Sequence, residues 1–99
     1  MKNQFGNRIR ELREANKLLQ RQVASILEID TPMLSKIERG ERPARRAQVI
    51  AIAKVLSADE KELLTLWLVD KIIEVLENEK KLADEALKIA QNLISSKKG

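Results

Sequence analysis

Apolar residues in this chain recur three and four positions apart and almost never alternate, which is the spacing of helices and not of strands. Phe5, Ile9, Leu12 and Ala15 form a first stripe, with Arg8, Arg10, Glu11 and Glu14 off it, and predict a helix from about Asn3 to Asn16. A second helix, Gln20 to Leu27, would bury Val23, Ala24 and Leu27; a third, Thr31 to Arg39, would stop at Gly40. After the loop Glu41-Arg42-Pro43, residues Ala44 to Leu56 are apolar on most sides through Ala47, Val49, Ile50, Ile52, Ala53 and Leu56, as a central buried helix should be. Ser57-Ala58-Asp59-Glu60 matches a capping box and opens a fifth helix carrying Leu63, Leu64, Trp67, Leu68, Ile72, Val75 and Leu76. The heptad series that continues from Leu68 through Ile72, Val75, Leu82, Ala86, Ile89 and Leu93 is interrupted by Glu79, so a bend is expected within Glu77 to Lys81. A last helix, Leu82 to Ile94, would fold back or cross to a partner, one uninterrupted helix to Ile94 is the competing reading, and the residues from Ser95 onward should fray. The expected organisation is all-α: a head over 1–57, a helical extension over 58–96 and a frayed tail over 97–99.

The second and third segments are separated by three residues, Glu28, Ile29 and Asp30, and together read as a helix-turn-helix. At 100° per residue, Thr31, Pro32, Ser35, Lys36 and Arg39 share an arc of about 140°, while Met33, Leu34 and Ile37 occupy the other side. The polar arc is free to enter a groove, and a B-DNA major groove, about 12 Å wide, accepts such a helix with its N-terminal side chains at the base edges. Asp30 is placed to cap the helix and Pro32 lies in its first turn, where a missing N–H costs little. Arg42, Arg45 and Arg46 lie beside it and suit phosphate neutralisation.

Charge sharpens the picture. The net charge is +4. Residues 1 to 56 carry 12 Lys/Arg against 6 Asp/Glu, and residues 57 to 99 carry 7 against 9, so the halves stand at +6 and −2. Local positive potential belongs where phosphates bind, and a dimerising element has no need of it. Phe5 and Trp67 are the only aromatic residues, too few for the stacking platforms that read single strands or RNA. Without Cys or His the chain lacks a thiol nucleophile, an imidazole base and the usual zinc ligands, so neither an enzyme nor a cofactor is expected. Asp59, Glu60 and Glu62 fit a first helical turn as dipole partners, and no metal site is expected from them. No apolar run approaches a membrane span and no signal-peptide pattern opens the chain, which points to a cytoplasmic protein with no membrane partner.

Arg8-Ile9-Arg10-Glu11-Leu12-Arg13, Gln20 with Ala24, and above all Ser35-Lys36-Ile37-Glu38-Arg39-Gly40 resemble the Cro/C1-type (Xre-like) regulators over about residues 5 to 57. The resemblance implies a compact five-helix, lambda-repressor-like DNA-binding domain, here with an added C-terminal helical dimerisation segment. It implies that Thr31, Pro32, Ser35 and Lys36 face bases, that Gln20, with Arg21 beside it, holds a phosphate, and that Arg39 with Arg42, Arg45 or Arg46 flanks the backbone. It also implies a structural pair between Arg13 and Glu38. Three positions depart from the pattern: Leu19 where a Ser or Thr cap is common, Glu28 where a Gly often makes the turn, and Pro32 at a base-facing site, where only an apolar contact remains. The tail, Leu63 to Leu68 with Leu82 to Leu87, looks like an extension found on small regulators encoded near DNA methyltransferases, which suggests a restriction-modification controller.

The surplus apolar stripe of the fifth helix exceeds what a small head can cover, so Leu64, Trp67, Leu68, Ile72 and Val75 are expected at a subunit interface, with Trp67 also suited to the core. The expected function is a homodimeric, sequence-specific double-stranded DNA-binding regulator on a palindromic operator, acting as a repressor or an activator by occupancy. The alternative is an antitoxin-like protein whose C-terminal helices bind a protein partner while its head binds its own promoter. A third possibility, a head that only scaffolds protein contacts, sits poorly with the arginine cluster.

Overall fold

Ile9, Val23, Leu34, Val49, Ile52 and Leu63 are almost wholly withdrawn from solvent, and each comes from a different turn of a different helix or from the central one. The computed structural model describes residues 3–98. Within them the chain forms six helices and no strand: α1 Gln4–Ala15, α2 Gln20–Leu27, α3 Thr31–Glu38, α4 Arg46–Val55, α5 Glu60–Leu76 and α6 Ala83–Lys98.

Local chemistry sets the ends. α1 closes with Leu18 N–H donating to Arg13 O across Lys17, which takes a left-handed conformation (φ 57°). Leu19 has no oxygen to offer α2, but its own N–H donates to Gln22 Oε1 at 2.7 Å, so half of a capping box is made in reverse. Arg45 and Gln48 repeat that half box at the start of α4. Ser57 does not act as the predicted cap of α5. It stands at φ 53° as the residue after α4, with Ala58 N–H reaching back to Ala53 O, and a residue ending one helix this way is not placed to cap the next. Asp59 does the capping, accepting from Lys61 N–H at 2.9 Å.

α4 runs through the middle, burying Val49, Ile52 and Ala53 against the other head helices, and Ala44, expected as its first residue, is instead a buried loop residue before it. The head does not end at residue 57: the first half of α5 lies across α1 and α4 and puts Leu63 into the core, with Leu64, Leu66 and Trp67 packed against it. Of the five residues predicted for a subunit interface, Leu64 and Trp67 are thus engaged by the head, and Leu68, Ile72 and Val75 stand exposed. Asp70 fastens α5 to the start of α1. Its Oδ1 accepts from Gln4 N–H at 2.9 Å and its Oδ2 from Phe5 N–H at 3.0 Å, supplying the cap that Asn3, the residue before the helix, does not.

The chain turns at 77–82, where the charged run interrupts the heptad, and α6 begins there as a separate helix. α6 then runs beside α5 without closing on it, and the backbone remains helical to Lys98 where a frayed tail is predicted over 97–99; Gly99 lies outside the described residues. The radius of gyration is 15.5 Å, against about 13 Å for a compact domain of this length. Among the described residues no helix is long and apolar enough to cross a membrane.

Candidate nucleic-acid interface

Two helices of eight residues cannot hold a fixed orientation by themselves, so the turn between α2 and α3 must be over-determined by its surroundings. Glu28 closes α2 in a left-handed conformation (φ 59°, ψ 38°), the position at which the sequence departs from glycine, and Ile29 N–H donates to Ala24 O across it. Asp30 caps α3 as predicted, its Oδ1 accepting from Met33 N–H at 2.8 Å. At the far end Gly40, at φ 75°, lets Glu41 N–H reach Lys36 O at 2.8 Å, the stop expected of it.

The back of α3 is clamped by Leu34 and Ile37 in the core and by the buried carboxylate of Glu38. Glu38 receives Arg13 in a two-pronged pair, Nε to Oε2 at 2.7 Å and Nη2 to Oε1 at 3.1 Å, with side-chain exposures of 11% for Arg13 and 4% for Glu38. Arg13 Nη1 donates to Leu18 O at 2.9 Å, so the guanidinium joins α1, α3 and the loop before α2. Hydrogen bonding to Glu38 holds the Arg13 pKa above its ordinary value, against the opposing effect of burial, and the nearby charges of Glu38 and Glu14 add to it. Asn3 completes the clamp by donating from Nδ2 to Glu38 O at 2.6 Å.

The opposite face is wet. Pro32, Lys36 and Arg39 are exposed and Thr31 and Ser35 half-buried, so two hydroxyls, one ammonium, one guanidinium and one apolar ring line the predicted arc. Hydroxyls can donate or accept at either base type, and a lysine ammonium donates to N7 and O6 of guanine. Arg39 is not simply solvated: Nε and Nη2 pair with Glu41 at 2.8 Å and 3.2 Å, and Nη1 donates to Ser35 Oγ at 3.1 Å. At an exposed pair of this kind the attraction is worth no more than about 1 kcal/mol, so a phosphate can displace Glu41. Gln20 is turned partly inward, its Nε2 donating one N–H to Glu38 Oε1 at 2.9 Å, which leaves the second N–H of the amide and its carbonyl oxygen.

Arg21, Arg42, Arg45 and Arg46 are exposed, and none enters an ion pair among those observed. The loop that carries Arg42 and Arg45 and leads into Arg46, the first residue of α4, is held from α5, where Trp67 Nε1 donates to Ala44 O at 2.8 Å and Lys71 Nζ lies 4.5 Å from the centre of the indole ring. Glu41 and the Trp67 anchor have no counterpart in the predicted site. Glu41 could have been suspected from its spacing two residues after Arg39, whereas nothing in the local pattern joins Trp67 to Ala44, 23 residues away. Of the predicted metal-free carboxylates, Asp59 is a helix cap and Glu62 pairs with Arg8 at 3.1 Å.

No curated protein and no solved structure gives a significant match to the chain. A family model described as a helix-turn-helix domain matches residues 4–66, a span that takes in the α2–turn–α3 unit, the Arg13–Glu38 clamp and the arginine-bearing loop. The chain therefore belongs to the helix-turn-helix domain family of DNA-binding regulators.

Proposed function

We infer that the protein is a sequence-specific transcription regulator of the Cro/C1 type, with a lambda-repressor-like head, that binds a palindromic operator near its own gene as a homodimer in the cytoplasm. It acts by occupancy and not by catalysis. The observation that carries this reading is the split character of α3: Glu38, Leu34 and Ile37 lock its back, and Thr31, Ser35 and Lys36 lie on the other side, near Arg21, Arg42, Arg45 and Arg46, which enter no ion pair observed among the described residues. Thr31, Pro32, Ser35 and Lys36 read bases, with Pro32 suited to a thymine methyl, and Arg21, Arg39, Arg42, Arg45 and Arg46 meet phosphates. Two such heads related by a two-fold axis would place their α3 helices in major grooves about 34 Å apart.

Selection of bound sequences from a random duplex pool tests this. Enrichment of an inverted repeat with half-sites one helical turn apart is expected, and failure to enrich any motif would refute it. The exposed apolar residues of α5 and α6 also favour the antitoxin-like reading, in which those helices neutralise a protein partner. The two part on purification: the regulator is a stable species alone, and the antitoxin is stable only with the product of the neighbouring gene.

A further inference from the structure

α6 has two apolar faces. Taking Leu82 as zero on the helical wheel, Ile89 and Leu93 lie within about 20° of it, and Ala90, Ile94 and Leu87 lie at about 80° to 140°. The apolar arc is therefore about 160° wide, well beyond the roughly 100° stripe of a helix that packs on one side only. The second face, Leu87, Ala90 and Ile94, lines a groove of about 870 Å³ whose other wall is Leu68, Ile72 and Val75 of α5. The first face points away from that groove, with Leu93 60% exposed, and Val75 on the opposite wall is 74% exposed. Closing the hairpin of a single chain would cover the groove and leave Leu82, Ile89 and Leu93 in water.

We propose that α5 and α6 of two copies of this chain form one four-helix bundle, in which each α6 is covered by its own α5 through the Leu87 face and by the partner's helices through the Leu82, Ile89, Leu93 face. This rests on the dimeric regulator reading and specifies its interface. The area supports a second copy as the occupant. The chain exposes 7354 Å². A folded monomer of 11.3 kDa exposes about 5,700 Å², so about 1,600 Å² is surplus, within the roughly 1,000 to 2,500 Å² that each subunit buries in an obligate homodimer. Charge agrees: the segment from residue 57 onward is nearly neutral at −2 and can meet a copy of itself, whereas residues 1–56, at +6, repel a second copy of themselves and are left for the DNA.

The full-length chain, without DNA, is measured by sedimentation equilibrium, with Trp67 fluorescence and far-UV circular dichroism as checks on the head. Wild type should have twice the chain mass at micromolar concentration. Leu93→Glu, on the outward face, and Ile72→Glu, in the groove, should each weaken dimerisation at least about tenfold with the head still folded. Ile26→Glu, at an exposed apolar position on the head, should leave the mass unchanged. A monomeric wild type, a dimer indifferent to Leu93→Glu, or dissociation by Ile26→Glu would each overturn the bundle. DNA recognition is measured through Lys36 and does not enter this experiment, so failure of the bundle and failure of the regulator reading register separately.

Discussion

Glu38→Gln removes one charge from the clamp and changes almost nothing in shape. The amide can accept from Arg13 through one oxygen, but its NH₂ group then faces donors on Arg13 or Gln20, the two side chains that now converge on the carboxylate. Arg13, only 11% exposed, is left as a cation without its counter-charge. Breaking a buried pair on one side costs about 3–5 kcal/mol, a large share of the roughly 5–15 kcal/mol that holds a domain of this size together. At roughly 4–8 °C per kcal/mol the melting temperature should fall by at least about 12 °C. Urea and thermal unfolding followed by circular dichroism measure both quantities. Replacing the pair together, Arg13→Met with Glu38→Leu, strands no charge and should recover more than half of the loss. A Glu38→Gln loss below about 1 kcal/mol, the value of a solvated surface pair, would refute the claim that this clamp fixes α3. The raised Arg13 pKa sets the pH dependence. A base whose folded pKa exceeds its unfolded value contributes stability that is complete below the unfolded value and is lost only as pH rises through the folded one. That window is strongly alkaline, so the Arg13 contribution should stay flat from neutral to mildly alkaline conditions.

Lys36→Ala should weaken specific DNA binding by about 1–3 kcal/mol with the melting temperature little changed; unaltered affinity in a titration would remove Lys36 from the interface. Arg46→Ala should reduce the slope of log affinity against log salt by about one, and an unchanged slope would return Arg46 to solvent. Gly6→Ala should destabilise the head by about 1–3 kcal/mol, because a Cβ there would stand 2.5 Å from Glu38 O where α1 crosses the end of α3; a melting curve superimposable on wild type would show that the crossing can relax.

The α2–turn–α3 unit was legible because the ends and faces of its two helices are set locally, although the clamp on Glu38 is not. Asp30 caps a helix three residues on, Gly40 ends one, and the apolar and polar arcs of α3 follow from spacing alone. The break at 77–82 was equally visible as a charge placed in a heptad. Ser57 misled because Ser-x-x-Glu describes a cap only when the serine is extended, and the demand of α4 for a left-handed residue took precedence. The side-chain partners were less legible. Arg13 and Glu38 came from family likeness, and the inward commitment of Gln20 follows only once Glu38 is known to lie within its reach. Leu64 and Trp67 looked the same as Leu68 and Ile72 along the helix, and only the packing of α5 across α1 and α4 divides them.

The segment that the family model matches stops at residue 66, yet the carboxylate that caps its first helix is four residues further on and the indole that steadies its basic loop is the very next residue. A fragment trimmed to the match would keep every side chain proposed to meet DNA and lose two of the struts behind them. For this protein the smallest independently useful piece is therefore set by hydrogen-bond reach, and any excised head should extend at least through Asp70 to remain a faithful reporter of the whole.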